Sequence, residues 1–566
     1  MTQLSLLWPD DTPAKTWPIP PETIRDLELE AIVAAICPHG PYREAVATIM
    51  TQVCLEPDTI RYRQQVVADL QAQPQLAAAL RGLLPLLDEL ALFSYRKSGD
   101  DSSLHEVVAR AGELELLIEA IDQLQQAFTA VSTPLQSTAI KALRDHAASL
   151  AADTNFQQLA DQLPSLLSQL RTSASITIGV NLDHYMRPEE AVLLAVNDFR
   201  FSESTLLDRL LGRGIAEGKG MAPLHTPPMV SRSSGMITGG LPMNGPPQRM
   251  DPMLVPLFKD LSEILEKVTQ PIAHELKKYV QLNGRFLVEL RPAIIFYVHA
   301  LDLINTLTEA GMPWCRPEVV AAEDRVCEVK GAYNLHLALQ ARRREDERPL
   351  PDRVVANDIV LGEDGRIAIL TGPNQGGKTI FMQSVGLIQV LAQIGLPVPG
   401  RSGRISPVDG IYTHYPIEER LDRGTGRFGD EAQRIRTIFE QVTRHSLVLF
   451  NESLATTNMG ESVYLARDMV RVLRQIGLRA IFTTHLHDLA AAVPEINAET
   501  AGDSRVISLV ASPLDEEPTT GDQYSYRVQP GPPLGHSYAT HIATRYGISY
   551  EQLQALAAQR KLLKEE

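Results

Sequence analysis

Hydrophobic positions change their spacing along this chain, and the spacing predicts three kinds of structure in order. From 21 to about 170, apolar residues recur three and four apart, as at Leu104, Val107, Val108, Ala111, Leu114, Leu117 and Ile118, which puts them on one face of a helix. Near Ser173 the period drops to two. Ile176, Ile178, Val180 and Leu182 alternate with small or polar residues, and 191–201 is a second β-prone run. The stretch 212–252 is dense in Gly, Pro, Met and Ser and reads as a loop or insertion. Leu254, Leu257, Phe258, Leu261, Ile264, Leu265, Val268, Ile272, Leu276 and Val280 then predict one long amphipathic helix, extending toward Arg291 before Pro292. A long helix returning to a helical body from a small β module has the outline of an arm carrying a tip. Arg342, Arg343 and Arg344, followed by Glu345, Asp346 and Glu347, read as a solvated helix end.

Beyond about 346 the pattern is of short apolar runs fit for buried strands. The run Ile367-Ala368-Ile369-Leu370 leads directly into Thr371-Gly372-Pro373-Asn374-Gln375-Gly376-Gly377-Lys378-Thr379, and an amphipathic segment through Met382, Val385, Ile388 and Leu391 follows. This satisfies the GxxxxGK[ST] spacing in a strand–loop–helix context. Glycines there let the backbone aim N–H groups at phosphate oxygens, and the helix N-terminus adds its dipole. Lys378 is placed to reach the β and γ phosphates of ATP, and Thr379 to offer a hydroxyl to Mg²⁺. A second run, Leu447-Val448-Leu449-Phe450, ends in Asn451-Glu452. At this place a nucleotide hydrolase ordinarily carries an Asp that steadies Mg²⁺, followed in one class by a Glu that polarises water. Here the Asp position is Asn451, whose neutral amide holds the metal less strongly, so slow turnover is expected. A third run, Ala480-Ile481-Phe482-Thr483-Thr484, leads to His485, where such an ATPase senses the γ-phosphate. His487 and Asp488 add the weaker possibility of a metal pair with His485.

Length and charge narrow the picture. At 566 residues the chain has room for about two to four domains. With 44% hydrophobic and 22% charged residues it is an ordinary folding chain, not a disordered or collagen-like one. Sixty-nine acidic against 53 basic side chains leave a net charge of −16, which disfavours a polybasic nucleic-acid binder but not a local basic surface. The four cysteines, Cys37, Cys54, Cys315 and Cys327, have no zinc spacing. No secretory pattern opens the sequence, and the longest apolar passage, 293–307, carries His299, Asp302 and Asn305 and is too short to cross a bilayer. A cytoplasmic protein without membrane contact is expected.

The loop Gly372 to Thr379, in its Pro-Asn and double-Gly form, resembles that of the MutS family, the ATPases of DNA mismatch repair and their relatives. So do Ile394-Gly395-Leu396-Pro397, the segment from Ile405 to Thr413, and Phe482-Thr483-Thr484-His485. Thr457, Asn458 and Glu461 fall in the equivalent of the family's dimer-facing loop, and Gly535-His536-Ser537-Tyr538 resembles its late dimer contact. Asp58 to Val67 is similar, more weakly, to the start of its helical core. The resemblance implies a multidomain α plus α/β fold: a helical core and outgoing lever over 1–172, a clamp-like β insertion over 173–252, a returning lever and connector over 253–345, and a P-loop ATPase domain of the ABC type over 346–566. It further implies ATP and Mg²⁺ as cofactors, Asn357 and the loop as nucleotide contacts, Glu452 and His485 as catalytic groups, a homodimer, and duplex or branched DNA as partner.

Departures from the family pattern qualify these expectations. With few residues ahead of the helical core and no Phe-x-Glu wedge near the first residues, a mismatch-reading domain is not expected, nor is a nuclease-like domain after the ATPase. The adenine-stacking aromatic falls on Val354, and the trans-acting Ser-Thr-Phe segment reads Gly426-Arg427-Phe428, with Glu431 retained. The leading expectation is a nucleotide-switched DNA clamp with slow ATP hydrolysis, acting in mismatch repair or recombination control. A cassette ATPase of another DNA-organising system and an ATP-sensing module without hydrolysis are the alternatives.

Overall fold

Runs such as Ile367–Thr371 and Leu447–Asn451 have no polar face to show to water, and they become the buried centre of a parallel sheet. The computed structural model describes residues 4–9, 15–38, 40–94, 103–171, 175–186, 188–197, 202–203, 219–220, 270–416, 427–454, 458–512, 525–533 and 547–560. The chain is mixed α/β and divides into two units. One draws on Met1–Ala77, Thr133–Lys141 and Pro292–Glu566, the other on Ala78–Ser132 and Ala142–Arg291.

The first unit is built on a six-stranded sheet of β1 (Ile367–Thr371), β2 (Ile411–His414), β3 (Leu447–Asn451), β4 (Arg479–Thr483), β5 (Val506–Ala511) and β6 (Val528–Pro530). Their order is β2-β3-β4-β1-β5-β6, parallel throughout except for the antiparallel pair β5 and β6. Helix α1 (Lys378–Gln393) leaves β1 through the glycine-rich loop, while α2 (Arg427–Gln441) and α3 (Met459–Ile476) flank the sheet. Val448, Phe450, Ala480 and Phe482 pack with Ala466, Val470 and Leu473 of α3. A smaller sheet, in the order Asn357–Leu361, Cys327–Ala332, Ser402–Ile405, Glu318–Val319, completes the unit.

The segment expected to form an amphipathic helix is instead buried on all sides, every residue of α1 from Phe381 to Gln393 being shielded from water. Two of its glutamines reach backbone: Gln389 donates to Ser406 O at 3.0 Å, and Gln393 donates to the carbonyls of Cys54 and Val408 at 2.8 and 2.9 Å. Part of the cover comes from near the N-terminus. The Thr23 hydroxyl donates to Ile411 O at 2.9 Å, and Thr413 donates to Asp26 at 2.8 Å. Leu27 approaches so closely that a Cβ on Gly386 would sit 2.6 Å from its side chain. Helices Pro21–Asp26, Leu29–Ile36 and Pro57–Ala72 therefore stand with the six-stranded sheet rather than with the helices after Ser103. Amphipathic spacing shows that a helix has a buried face without showing which partner covers it.

Arg479 ties the two sheets of this unit together. It is fully buried and donates to the carbonyls of Val326, Ser406, Pro407 and His445 at 2.8–3.2 Å, and burial pushes its pKa down to about 10. Each carbonyl stranded by its loss costs about 1–3 kcal/mol. We expect Arg479→Ala to lower unfolding free energy by about 3 kcal/mol or more, read from the midpoint of urea denaturation.

The second unit contains Ser103–Thr129 and Thr154–Arg171, packed through Leu114, Leu117, Ile121, Phe156, Leu159 and Leu163, and the hairpin Ser175–Leu182 with Pro188–Asn197. Within the stretch 173–252 this hairpin occupies 175–197, and the loop over 212–252 lies outside the described residues apart from a two-residue strand at Lys219–Gly220. The returning helix is described only from residue 270, and it does not run on to Arg291. It closes in a 3-10 turn at Lys277–Tyr279, Val280 is exposed, and a new helix, Arg285–Glu309, starts after Gly284 and carries Pro292 inside it. Asn283 accepts from Arg285 N at 3.2 Å, a local bond that competes with helix continuation. Periodicity alone passes over such a break. Further along Arg285–Glu309, Ile295, Phe296 and Tyr297 are fully buried in the first unit. Among the described residues no helix is long and apolar enough to cross a membrane. Arg342, Arg343 and Arg344 are exposed at the end of Leu335–Arg343, as expected of a solvated helix end.

Candidate active site

Five parallel strands deliver their C-terminal ends to one edge of the sheet, the place where open α/β sheets bind ligands. After β1 the chain turns through Gly372 (φ +146) and Gly377 (φ +92) into α1. A Cβ on Gly372 would lie 2.7 Å from Ala511 O, so only glycine passes there. The turn leaves the first N–H groups of α1 at the mouth of a cleft of about 470 Å³, within the range of small-molecule sites.

Lys378, the first residue of α1, is buried, and its Nζ donates to Gly372 O at 3.0 Å and Pro373 O at 3.1 Å. It lies 3.3 Å from His485 Nε2 and 3.9 Å from the Glu452 carboxylate. Burial pushes its pKa down to about 8, and the charge of Glu452 works against that fall. The Thr379 hydroxyl donates to Asn451 Oδ1 at 3.1 Å, and Thr483 donates to the same oxygen at 2.7 Å. Glu452 holds a left-handed backbone (φ 48), with its carboxylate 2.9 Å from His485 Nε2. Hydrogen bonding to His485, reinforced by the charges of His485 and Lys378, holds the Glu452 carboxyl below its ordinary pKa. The structure therefore brings Lys378, Thr379, Asn451, Glu452 and His485, drawn from three strand ends, into direct contact.

Thr379 Oγ1 and Asn451 Oδ1 are oxygen donors of the kind a hard divalent cation accepts, and Glu452 is the carboxylate lining this cleft. The donor set fits Mg²⁺ held mainly through nucleotide phosphates. Among the described residues no cluster of three or more His, Cys, Asp or Glu has metal-binding geometry, so His487 and Asp488 complete no metal site with His485.

Pro373, Gln375, Gly377, Lys378, Thr379 and Asn357 line the cleft. The Asn357 side chain is spent on backbone, however: Nδ2 donates to Tyr526 O at 3.0 Å and Oδ1 accepts from Val528 N at 2.8 Å. It shapes the cleft by holding the return strand. Val354 is buried in the core and Val355 lines the cleft instead, so the expected stacking position does not face it. Two residues that sequence reasoning missed lie beside the loop. Tyr526, left-handed at φ 53, lines the cleft, and its N–H donates to Ser512 Oγ at 3.0 Å. Ser512, also left-handed, donates that hydroxyl to Gly376 O at 3.2 Å. No motif spacing links 512 or 526 to the loop; only the sheet order does.

Asn458 caps α3 by accepting from Gly460 N at 2.9 Å, Glu461 is exposed in the first turn of α3, and Phe428 is 38% exposed near the start of α2. Thr457, Gly426 and 535–538 lie outside the described residues. His414, at the end of β2, is fully shielded, with Nδ1 2.7 Å from Ser453 Oγ. Burial, aided by Arg434, pushes its pKa down to about 3. An unfolded histidine takes up a proton near pH 6.5 while this one stays neutral, so stability is lost as pH falls from 6.5 toward 3. At pH 5 the loss from this residue is about 2 kcal/mol, and we expect His414→Gln to flatten the pH dependence of urea unfolding over that window.

Residues 368–563 match the family described as MutS domain V, and residues 55–310 match the MutS2 N-terminal domain. The protein named Endonuclease MutS2 of Thermomicrobium roseum is 31% identical over 312 residues, 54% of this chain and 35% of the relative. Endonuclease MutS2 of Lactiplantibacillus plantarum is 35% identical over 208 residues, 36% of this chain and 25% of the relative. DNA mismatch repair protein MutS of Chloroflexus aurantiacus is 27% identical over 341 residues, 55% of this chain and 33% of the relative. The aligned part of the chain spans 25–35% of these relatives' length. The loop that begins at Gly372 and the strand ends that meet it lie within the first of the two family matches, and on both matches together the chain belongs to the MutS family.

Proposed function

We propose that this chain binds ATP with Mg²⁺, hydrolyses it slowly, and uses the nucleotide to switch a homodimeric clamp on duplex or branched DNA. The observation that carries the nucleotide part is the meeting of Lys378, Thr379, Asn451, Glu452 and His485 at one sheet edge. Lys378 exchanges its loop carbonyls for phosphate oxygens, a stronger, charge-assisted partner. N–H groups at the start of α1 cradle the phosphates, and Tyr526 offers the aromatic wall for the base that position 354 does not. Glu452 accepts the proton of the attacking water, and His485 orients that carboxylate through their hydrogen bond. Magnesium, when bound with the nucleotide, supplies positive charge at the phosphate oxygens.

DNA and a role in mismatch repair or recombination control rest on the relatives, whose names refer to endonuclease and DNA mismatch repair proteins; the dimer rests on the family resemblance of Thr457, Asn458, Glu461 and 535–538, and the cytoplasmic location on the sequence pattern. The neutral Asn451 favours a second reading, an ATP-sensing module with hydrolysis lost. Steady-state ATPase assays with and without DNA, beside equilibrium ATP binding, separate the two. Turnover supports the first; undetectable turnover with retained binding supports the second. Asn451→Asp adds a charge beside Thr379, and we expect it to lower the Mg²⁺ concentration for half-maximal nucleotide binding several-fold. An unchanged Mg²⁺ requirement would sink the argument about the amide.

A further inference from the structure

Immediately after Glu452 the chain makes a turn that its side chains do not favour. Both Glu452 (φ 48) and Leu454 (φ 66) are left-handed without being glycine, a conformation that persists only where surrounding contacts over-determine it. Three such contacts surround the turn. Leu454 N donates to the Glu431 carboxylate at 2.6 Å, Leu454 O accepts from Ser462 Oγ at 2.7 Å, and Ser453 Oγ lies 2.7 Å from His414 Nδ1. Ser453 and Leu454 are buried, so no water can stand in for these partners. Of the three, the bond to Glu431 is the shortest and the one made to a carboxylate.

Glu431 sits on α2, within one turn of Phe428, in the segment that the family resemblance assigns to action across the dimer. Its contact with Leu454 is within its own chain. We propose that Glu431 is a positioning residue for Glu452: by holding the N–H of Leu454 it keeps the turn left-handed, and with it the aim of the Glu452 carboxylate at His485. The inference rests on the reading of Glu452 as the base of ATP hydrolysis.

The test uses the full chain, with kcat and KM for ATP, equilibrium binding of a non-hydrolysable ATP analogue, and the thermal midpoint. Glu431→Ala lowers kcat about tenfold or more while KM and analogue affinity stay within about twofold, because the phosphate loop is untouched. Glu431→Gln keeps an oxygen in place to accept the same N–H and holds kcat within about threefold of wild type. Glu431→Asp falls one methylene short and behaves like the alanine variant, so it carries the test if Glu431→Ala does not fold. Wild-type kcat in both Ala and Asp variants, or a Gln variant as slow as Ala, overturns the positioning role and leaves the ATPase reading intact. A wild-type chain that binds the analogue but never turns over ATP defeats the hydrolysis reading, and this inference with it.

Discussion

Glu452→Gln lowers ATP turnover about 10²- to 10⁴-fold while nucleotide affinity stays within about threefold, the range expected when one general base is removed. The variant is close to isosteric, and its amide oxygen still accepts the hydrogen bond that His485 Nε2 makes to the carboxylate at 2.9 Å. The turn at 452–454 keeps its own partners, so the backbone has no reason to move. What disappears is the negative charge. Glu452 is held in its ionised form below the ordinary carboxylate range, chiefly by its bond to His485, and in the proposed reaction that charge accepts a proton from water. Single-turnover hydrolysis beside equilibrium binding checks the result. Equal turnover in variant and wild type would exclude Glu452 as base.

Lys378→Met weakens ATP binding about 100-fold or more. The bound phosphates lose a charge-assisted partner, and each such bond contributes about 1.5–3 kcal/mol. Methionine is unbranched and of similar length, so it fills the buried path of the lysine stem. The folded unit loses the bonds to Gly372 O and Pro373 O and the contacts with His485 and Glu452, and in exchange it sheds the cost of burying an ammonium that burial already pushes down to about pKa 8. Stability therefore stays near wild type while binding falls. Titration calorimetry with ATP, beside a thermal melt without nucleotide, separates the two effects. Retained affinity would show that Lys378 remains on the loop carbonyls when nucleotide binds.

Much of this site was legible in the chain because its parts are local. The loop Gly372 to Thr379 is a contiguous backbone device whose glycines and lysine must stand at set intervals, and the runs ending at Asn451 and Thr483 declare buried strands by composition. Placing Glu452 and His485 at strand ends was enough to predict that they meet Lys378, since parallel strands in one sheet align their C-terminal ends. The resemblance to the MutS family rested on these same local patterns.

What remained hidden depends on contacts between residues far apart in sequence. Asn357, expected to touch nucleotide, lines the cleft and also grips Tyr526 and Val528, 169 and 171 positions away. Glu431 reaches Leu454, Ser512 reaches Gly376, and Leu27 fits the space left by Gly386. None of these pairs leaves a spacing to read, because a hydrogen bond or a close approach constrains distance in space and not along the chain. The break before Arg285 hides for a different reason: a side chain bonding its own backbone competes with the helix by a margin that periodicity does not register. Thus the sequence by itself determined which strands would be buried and which residues would stand at their ends, beside the glycine-rich loop. Only the tertiary structure decided what orients them, since strand order and the partner of each buried face are settled by packing across the whole unit.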